Sequence, residues 1–257
     1  MKVVILAGGK GIRISEETQT MPKPMIEIDG KPVLWHIMKT YSHFGFNEFV
    51  ICLGNNGYAV KEFFSHYFLH LSDVTFDLAK NSMSIHTGAS EPWKVTMVDT
   101  GPETMTGGRL KRVEKYIGNN PFMMSYGDGI GNIDISTLVK FHQEHKTLAT
   151  ATAVQSLGRF GIIDIAAEDK VASFMEKPKG DNAWINAGYF VLQPEVFKYI
   201  EGDGTAWEKE PMARLAQEGQ LAAYRHNGFW RSTDTLRDKN ELEQLWQSGQ
   251  APWKVWK

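Results

Sequence analysis

The sequence predicts an α/β fold: a mixed, mostly parallel sheet with helices on both faces and a smaller antiparallel part. Three observations carry this. Apolar strand-like runs alternate with helix-periodic segments through the first half, which is the rhythm of a parallel sheet. The first strand, Val3 to Ala7, runs straight into a glycine-and-arginine loop, Gly8-Gly9-Lys10-Gly11-Ile12-Arg13. Beyond residue 148 short strands follow one another with short connections, which suits an antiparallel or mixed extension of the sheet.

In chain order, residues 3–7 read as strand and 32–45 as helix, with Pro32 in its first turn and Gly45 at its end. Residues 48–53 read as strand, 57–71 as helix, 94–99 as strand, 106–118 as loop and short helix, and 122–126 as strand. A helix over 136–146 closes the first half. In the second half 148–155, 160–165, 171–176 and 184–192 read as strands, and 194–201, 208–219 and 235–248 as helices. Residues 72–92 read as a protruding hairpin, either a subunit contact or a plain surface excursion.

The chain has 257 residues, 42% hydrophobic and 23% charged, enough for one large domain with a full core. A net charge of −2 with scattered basic residues gives no electrostatic case for nucleic acid. The single Cys52 lies in the apolar run Phe49 to Leu53, so it reads as a buried strand residue and excludes a disulfide framework. No apolar stretch approaches the roughly 18 residues of a membrane span. Met1-Lys2 leads directly into a core strand, so no secretory signal is read and a cytoplasmic protein is expected.

In parallel α/β sheets ligands sit beyond the carboxyl ends of the strands. The loop after the first strand lies there. Its glycines let backbone N–H groups curl against phosphate oxygens, and Arg13 and Lys23 (in Pro22-Lys23-Pro24) can neutralise phosphate charge. This reads as a nucleoside triphosphate site; the bland alternative is a flexible loop after a buried strand. The dinucleotide fingerprint fails because its third glycine position is Ile14. The Walker loop fails because Gly30-Lys31 is followed by Pro32, with Met25 at the first glycine position.

Asp128, between Gly127 and Gly129, follows the strand 122–126 and can hold Mg²⁺, or serve as a turn aspartate. Asp234 stands just before the C-terminal helix, where from sequence alone capping is the favoured role. Glu176-Lys177-Pro178 ends a strand; Lys177 is held extended by the proline and can reach a phosphate monoester, or form a solvated charge pair. In Thr104-Met105-Thr106-Gly107-Gly108-Arg109 the small residues let a flat base lie against the backbone, and Arg109 can offer planar donors. His66 and His70 share a helix face with no third ligand. Neither a Gly-x-Ser-x-Gly elbow nor an activated cysteine is present. Trp253 and Trp256 read as docking anchors.

The ordered set Leu6-Ala7-Gly8-Gly9-x-Gly11-x-Arg13, Pro22-Lys23-Pro24, Gly127-Asp128, Glu176-Lys177-Pro178 and Asn186-Ala187-Gly188 resembles the sugar-1-phosphate nucleotidyltransferases along essentially the whole chain. Residues 104–110, 31–38 and 234–238 carry a closer match to the branch that uses CTP and α-D-glucose 1-phosphate. The resemblance implies a Rossmann-like α/β fold and a reaction giving CDP-glucose and pyrophosphate with Mg²⁺. It implies that Leu6, Ala7, Gly8, Gly9, Lys10, Gly11, Ile12 and Arg13 wrap the nucleotide, with Arg13 on the triphosphate and Lys23 on the α-phosphate. Thr104, Gly108 and Arg109 would lie at the nucleotide, Asp128 and Asp234 would share the metal, and Glu176, Lys177, Asn186 and Gly188 would hold the sugar phosphate.

On this reading residues 1–147 form a nucleotide-binding half and 148–234 a sugar-phosphate half of one domain, with 235–257 as a C-terminal helix and tail. The resemblance further implies a homo-oligomer, a hexamer in this type, and a place in CDP-dideoxyhexose synthesis for bacterial surface polysaccharide, the O-antigen. One departure is Ile12, where the family loop usually carries Thr and its hydroxyl. UTP or dTTP in place of CTP, and a catalytically silent sugar-nucleotide sensor, are the competing readings. The sensor would be expected to lose Lys23 or the carboxylates, and all are present.

Overall fold

The computed structural model describes residues 1–9, 21–88, 91–155, 162–165, 171–175 and 183–256. Strand β1 (Val3–Leu6) is followed by a small hairpin, β2 (Glu27–Ile28) and β3 (Lys31–Pro32), then α1 (Val33–His43), β4 (Glu48–Leu53), α2 (Gly57–Ser65) and α3 (Tyr67–Leu71). A second hairpin, β5 (Ser72–Asp77) and β6 (Ser82–Gly88), leads to β7 (Lys94–Asp99), α4 (Thr106–Arg112), α5 (Glu114–Ile117), β8 (Phe122–Tyr126), β9 (Gly129–Gly131) and α6 (Ile135–His145). Then come β10 (Ala149–Val154), β11 (Ile162–Ile165), β12 (Val171–Met175), β13 (Ile185–Leu192), α7 (Glu210–Gln217), β14 (Leu221–His226), β15 (Trp230–Ser232) and α8 (Leu236–Gln247).

The main sheet has the order β14-β10-β13-β8-β1-β4-β7. All neighbouring pairs are parallel except those of β13, which runs antiparallel to both β10 and β8. The expected mixed, mostly parallel sheet is therefore present, and β11 pairs β12 as a separate small antiparallel sheet. The reversal of β13 matters for the site. Tyr189 lies opposite Ser125 and Leu192 opposite Phe122, so the N-terminal end of β13 sits at the carboxyl end of β8.

Alternation of period two sends each strand into two cores. Val3, Ile5, Phe49, Ile51, Met123, Tyr189 and Val191 pack on one face with Leu34, Ile37 and Tyr41 of α1 and Leu242 of α8. Val4, Leu6, Val50, Cys52, Phe122, Met124, Phe190 and Leu192 pack on the other with Leu110, Phe197 and Trp207. Cys52 is fully buried, and desolvation pushes its thiol up to about 12, so it is a packed strand residue and no nucleophile. The fully buried Trp253 stacks on Phe229 at 5.5 Å and, with Trp256, meets the ring of His36 on α1. The tail tryptophans thus dock within their own chain.

Several boundaries differ from the sequence reading. The helix expected over 57–71 breaks at His66, whose ψ of 7° interrupts the α conformation. Residues 194–201 form a 3₁₀ turn, Pro194–Tyr199, because Pro194 opens a segment too short for an α-helix. The edge strand β14 was not expected. Its sequence, Leu221-Ala-Ala-Tyr-Arg-His226, contains no β-branched residue, and parallel pairing with β10 supplies what propensity does not. The protruding hairpin is present as β5 and β6, turning at Asn81 in left-handed conformation. No helix among the described residues is long and apolar enough to cross a membrane.

Candidate active site

A cavity of about 530 Å³ opens at the carboxyl end of β1 and β8. Of the residues expected at the nucleotide, Leu6, Gly8, Gly9, Lys23, Thr104, Arg109 and Asp128 line it. Met105 and Thr106, from the stretch read as lying against a base, line it too, as do Pro24, Tyr126 and Glu208, of which Tyr126 and Glu208 were not foreseen.

Lys23 is the charged centre of this wall. Pro22 and Pro24 fix the backbone on either side, and the lysine opens a 3₁₀ turn, Lys23–Met25. Its Nζ donates to Asp234 Oδ1 at 2.7 Å and stands 3.6 Å from Asp128 Oδ2. Two carboxylates that are more than a hundred residues apart thus converge on one ammonium. The device that brings them together is the two-stranded pairing of β9 with β15, in which Ser232 faces Gly129. Thr233 closes it by donating both its backbone N–H (2.8 Å) and its hydroxyl (3.0 Å) to the Asp128 carbonyl. Gly127 permits the approach: a Cβ there would fall 2.6 Å from Pro24 Cγ and 2.9 Å from the Leu6 carbonyl.

One expectation is corrected here. Asp234 does not cap α8. Thr235 is the N-cap, in a capping box with Asp238, which leaves the Asp234 carboxylate to accept from Lys23 and, through Oδ2, from the Ser232 hydroxyl at 3.0 Å. Asp128 has Lys23 and Asp234 beside it. Burial holds its carboxyl above the usual range and the neighbouring Asp234 adds to this, while Lys23 pulls the other way.

Arg109, on α4, is almost wholly buried. Its Nη1 donates to the carbonyls of Leu53 (3.1 Å) and Gly101 (2.8 Å) and to the Thr100 hydroxyl (2.8 Å), and its Nη2 to the Pro102 carbonyl (3.2 Å). The guanidinium therefore ties β4 and the 100–102 loop to the floor of the cavity while still lining it. Ala7 belongs to the core, its N–H donating to the Cys52 carbonyl at 2.9 Å. Gly108 packs against the backbone of Asp203 and donates to the Thr205 carbonyl at 3.1 Å. Thr104 is buried in the cavity wall.

On the other side of Asp128, β13 delivers Asn186 and Gly188. Asn186 Nδ2 donates to the Tyr126 hydroxyl at 3.3 Å, and its Oδ1 accepts from the Gly188 N–H at 2.8 Å. Gly188 has φ +80°, and a Cβ there would lie 2.6 Å from the Tyr126 ring. Tyr126 in turn donates to Glu208 Oε1 at 2.5 Å, and Thr106 donates to Glu208 Oε2 at 2.7 Å. No local sequence signal marks Glu208: it enters the site from the loop before α7. Lys10, Gly11, Ile12, Arg13, Glu176 and Lys177 lie outside the described residues.

Among the described residues no group of three or more His, Cys, Asp or Glu converges. The pair Asp128 and Asp234 nonetheless fits a small hard cation, which takes one or two carboxylates and completes its shell with phosphate oxygens and water. The Lys23 ammonium already shows that a positive charge is accommodated between them.

Comparison with known proteins gives the family. The nucleotidyl transferase family model matches residues 2–244. Glucose-1-phosphate cytidylyltransferase of Salmonella typhimurium is 56% identical over 257 residues, covering the whole of both chains. Mannose-1-phosphate guanyltransferase of Saccharomyces cerevisiae is 31% identical over 93% of this chain and 62% of its own. Among solved structures, UDP-glucose pyrophosphorylase from Acinetobacter baumanii superposes with a TM-score of 0.68 at 16% identity, covering 93% of this chain and 90% of that one. HddC from Yersinia pseudotuberculosis does so with 0.68 at 21%, covering 95% and 99%. These two show the shared fold. The chain belongs to the nucleotidyl transferase family.

Proposed function

We propose that this protein transfers the cytidylyl group of CTP to α-D-glucose 1-phosphate, releasing pyrophosphate and forming CDP-glucose. The observation that carries this reading is the 56% identity to glucose-1-phosphate cytidylyltransferase over the full length of both chains. The arrangement around Lys23 supports it, because it supplies what the chemistry needs.

The phosphate oxygen of the sugar is already an anion, so no strong general base is required. It attacks the α-phosphorus of CTP in line, one P–O bond forms, and the bond to the β-phosphate oxygen breaks as pyrophosphate leaves. The obstacle is repulsion between two anions. Lys23, held rigid by its prolines and lining the cavity, would neutralise the α-phosphate. Asp128 and Asp234 would hold Mg²⁺, which when bound screens the phosphates and orients them. Gly8 and Gly9 let phosphate approach the chain closely at the end of β1. Arg13 is assigned to the triphosphate by the family loop it occupies. Thr104, Gly108 and Arg109 shape the nucleotide side; Glu176, Lys177, Asn186 and Gly188 hold the sugar phosphate. Fixing both substrates in one cavity removes much of the entropic barrier.

The test offers five nucleoside triphosphates, each with glucose 1-phosphate and Mg²⁺, and measures pyrophosphate release. Product from CTP is expected. Release with none of them would revive a sugar-nucleotide sensor, and release from UTP or dTTP alone would move the assignment to another base. A reaction that consumes CTP belongs in the cytoplasm, and by family resemblance its product feeds CDP-dideoxyhexose and O-antigen synthesis. The same reading makes the protein a homo-oligomer. The hairpin β5–β6 supports this, with Phe76, Leu78, Met83 and Ile85 exposed on it. Phe76→Glu with Leu78→Glu is expected to reduce the sedimenting mass; an unchanged mass would remove the hairpin from the interface.

A further inference from the structure

We infer that Glu208 is the receptor for the ribose hydroxyls of the nucleotide, and so makes the enzyme select ribonucleotides over deoxyribonucleotides. The inference rests on the function proposed above and adds a residue to it.

The cavity lining is chemically mixed. Lys23, Asp128 and the backbone of Gly8 and Gly9 suit phosphate, and the segment from Pro102 to Thr106 forms another part of the wall. A nucleoside triphosphate anchored by its phosphates at Lys23 extends toward that wall, and its pentose lies between the two. Glu208 spans this gap. Its Oε1 accepts from Tyr126, two residues before Asp128, and its Oε2 accepts from Thr106, two residues after Thr104.

The two bonds orient the carboxylate without exhausting it. An ionised carboxylate offers about four acceptor sites. Tyr126 and Thr106 take one on each oxygen. The remaining acceptors, one on each oxygen, match a vicinal diol, which presents two hydroxyl donors side by side. Glu208 is exposed to the cavity, so a ligand can reach it. The Tyr126 hydroxyl donates to Glu208 and accepts from the Asn186 amide, which fixes its direction. A phosphate would be repelled at this point, and a deoxyribose would leave an oriented acceptor unmatched.

The other carboxylates lining the cavity do not compete for this role. Asp128 faces Lys23, and Glu103 stands on the exposed loop next to Pro102. The sugar-phosphate side is separated from Glu208 by the Tyr126 hydroxyl, which receives Asn186 from one direction and points to Glu208 in the other.

The experiment compares kcat/KM for CTP, 2′-deoxy-CTP and 3′-deoxy-CTP, with glucose 1-phosphate saturating, in the wild type and in Glu208→Gln and Glu208→Ala. Hydrogen bonds to a charged group predict a wild-type preference for CTP over either deoxynucleotide of about 10- to 100-fold. In Glu208→Ala that ratio is expected to fall to within about threefold of unity, with Glu208→Gln between the two. A ratio is the chosen readout because general damage to the fold lowers both rates together and leaves it unchanged. Calorimetric binding of CDP and 2′-deoxy-CDP to the same proteins gives the ratio without turnover. A ratio preserved in both variants overturns the inference, as does a selective rise in KM for glucose 1-phosphate. A wild-type enzyme that binds neither CTP nor CDP overturns the underlying functional reading instead.

Discussion

Replacing Lys23 by Met removes the ammonium that two carboxylates share and keeps the aliphatic stem. At an effective dielectric of about 20, a unit charge pair at the observed 2.7 Å from Asp234 attracts by about 6 kcal/mol, and one at 3.6 Å from Asp128 by about 5 kcal/mol. Most of this offsets hydration lost on folding. The side chains remain 17%, 20% and 34% exposed, between the surface and buried regimes, which places the net stabilisation at about 2 kcal/mol. In a chain of this size that corresponds to a melting temperature lower by about 4–8 °C. On the proposed function the same ammonium neutralises the α-phosphate, so catalysis is expected to fall further: kcat drops by about 10²–10³, the scale of one lost electrostatic stabiliser. Calorimetry and pyrophosphate release measure the two effects separately. Lys23→Arg keeps the charge and is expected to recover most of the stability but little of the rate, since a planar fork does not reproduce a point charge. Near-wild-type turnover in Lys23→Met would refute the reasoning about the reaction. An unshifted melting temperature would refute the reasoning about the pair.

Three further outcomes are expected. Gly188→Ala places a Cβ at φ +80° against the Tyr126 ring, which its bond to Glu208 holds in place; it should destabilise by about 1–3 kcal/mol and raise KM for glucose 1-phosphate, measured by urea melts and initial rates. Burial pushes His36 down to about 4, below its unfolded value near 6.5, so its contribution is intact above pH about 6.5 and falls by up to about 3 kcal/mol as pH drops toward 4. Urea melts across that range should show a flatter profile for His36→Gln than for the wild type. On the proposed function Ile12→Thr adds a hydroxyl donor to a charged phosphate, worth about 1.5–3 kcal/mol, and should lower the CTP concentration for half-maximal rate by about 10- to 150-fold; an unchanged requirement would show the hydroxyl to be irrelevant.

The parallel sheet was legible because both faces of β1, β4 and β8 are buried, which leaves continuous apolar runs bounded by turns. Lys23 was legible for a similar local reason: prolines on both sides announce a fixed lysine. Asp234 was read as a cap because an aspartate before a helix ordinarily caps it. The capping box of Thr235 and Asp238 relieves it of that duty, a competition between adjacent residues that only coordinates decide. Arg109 looked like a donor to a base because a planar fork near paired glycines suits one. It lines the cavity, but four acceptors from β4 and the 100–102 loop also surround it, and three of them are backbone carbonyls that carry no sequence signature. Glu208 had no signal, since its meaning comes from a tyrosine 82 residues away.

The reversed strand β13 sets when the enzyme can exist during its own manufacture. A ribosome releases β1, β4, β7 and β8 long before it releases β13, so the nascent chain carries β8 as a bare margin with unpaired N–H and C=O groups. Only when residues 185–192 emerge and slot between β10 and β8 is that margin sealed, and the same event carries Asn186 and Gly188 to Tyr126. Asp234 arrives later still. Chains cut short before the final third would leave the ribosome with β1, β4, β7 and β8 but without β13 or Asp234, and with an adhesive border that invites misassembly.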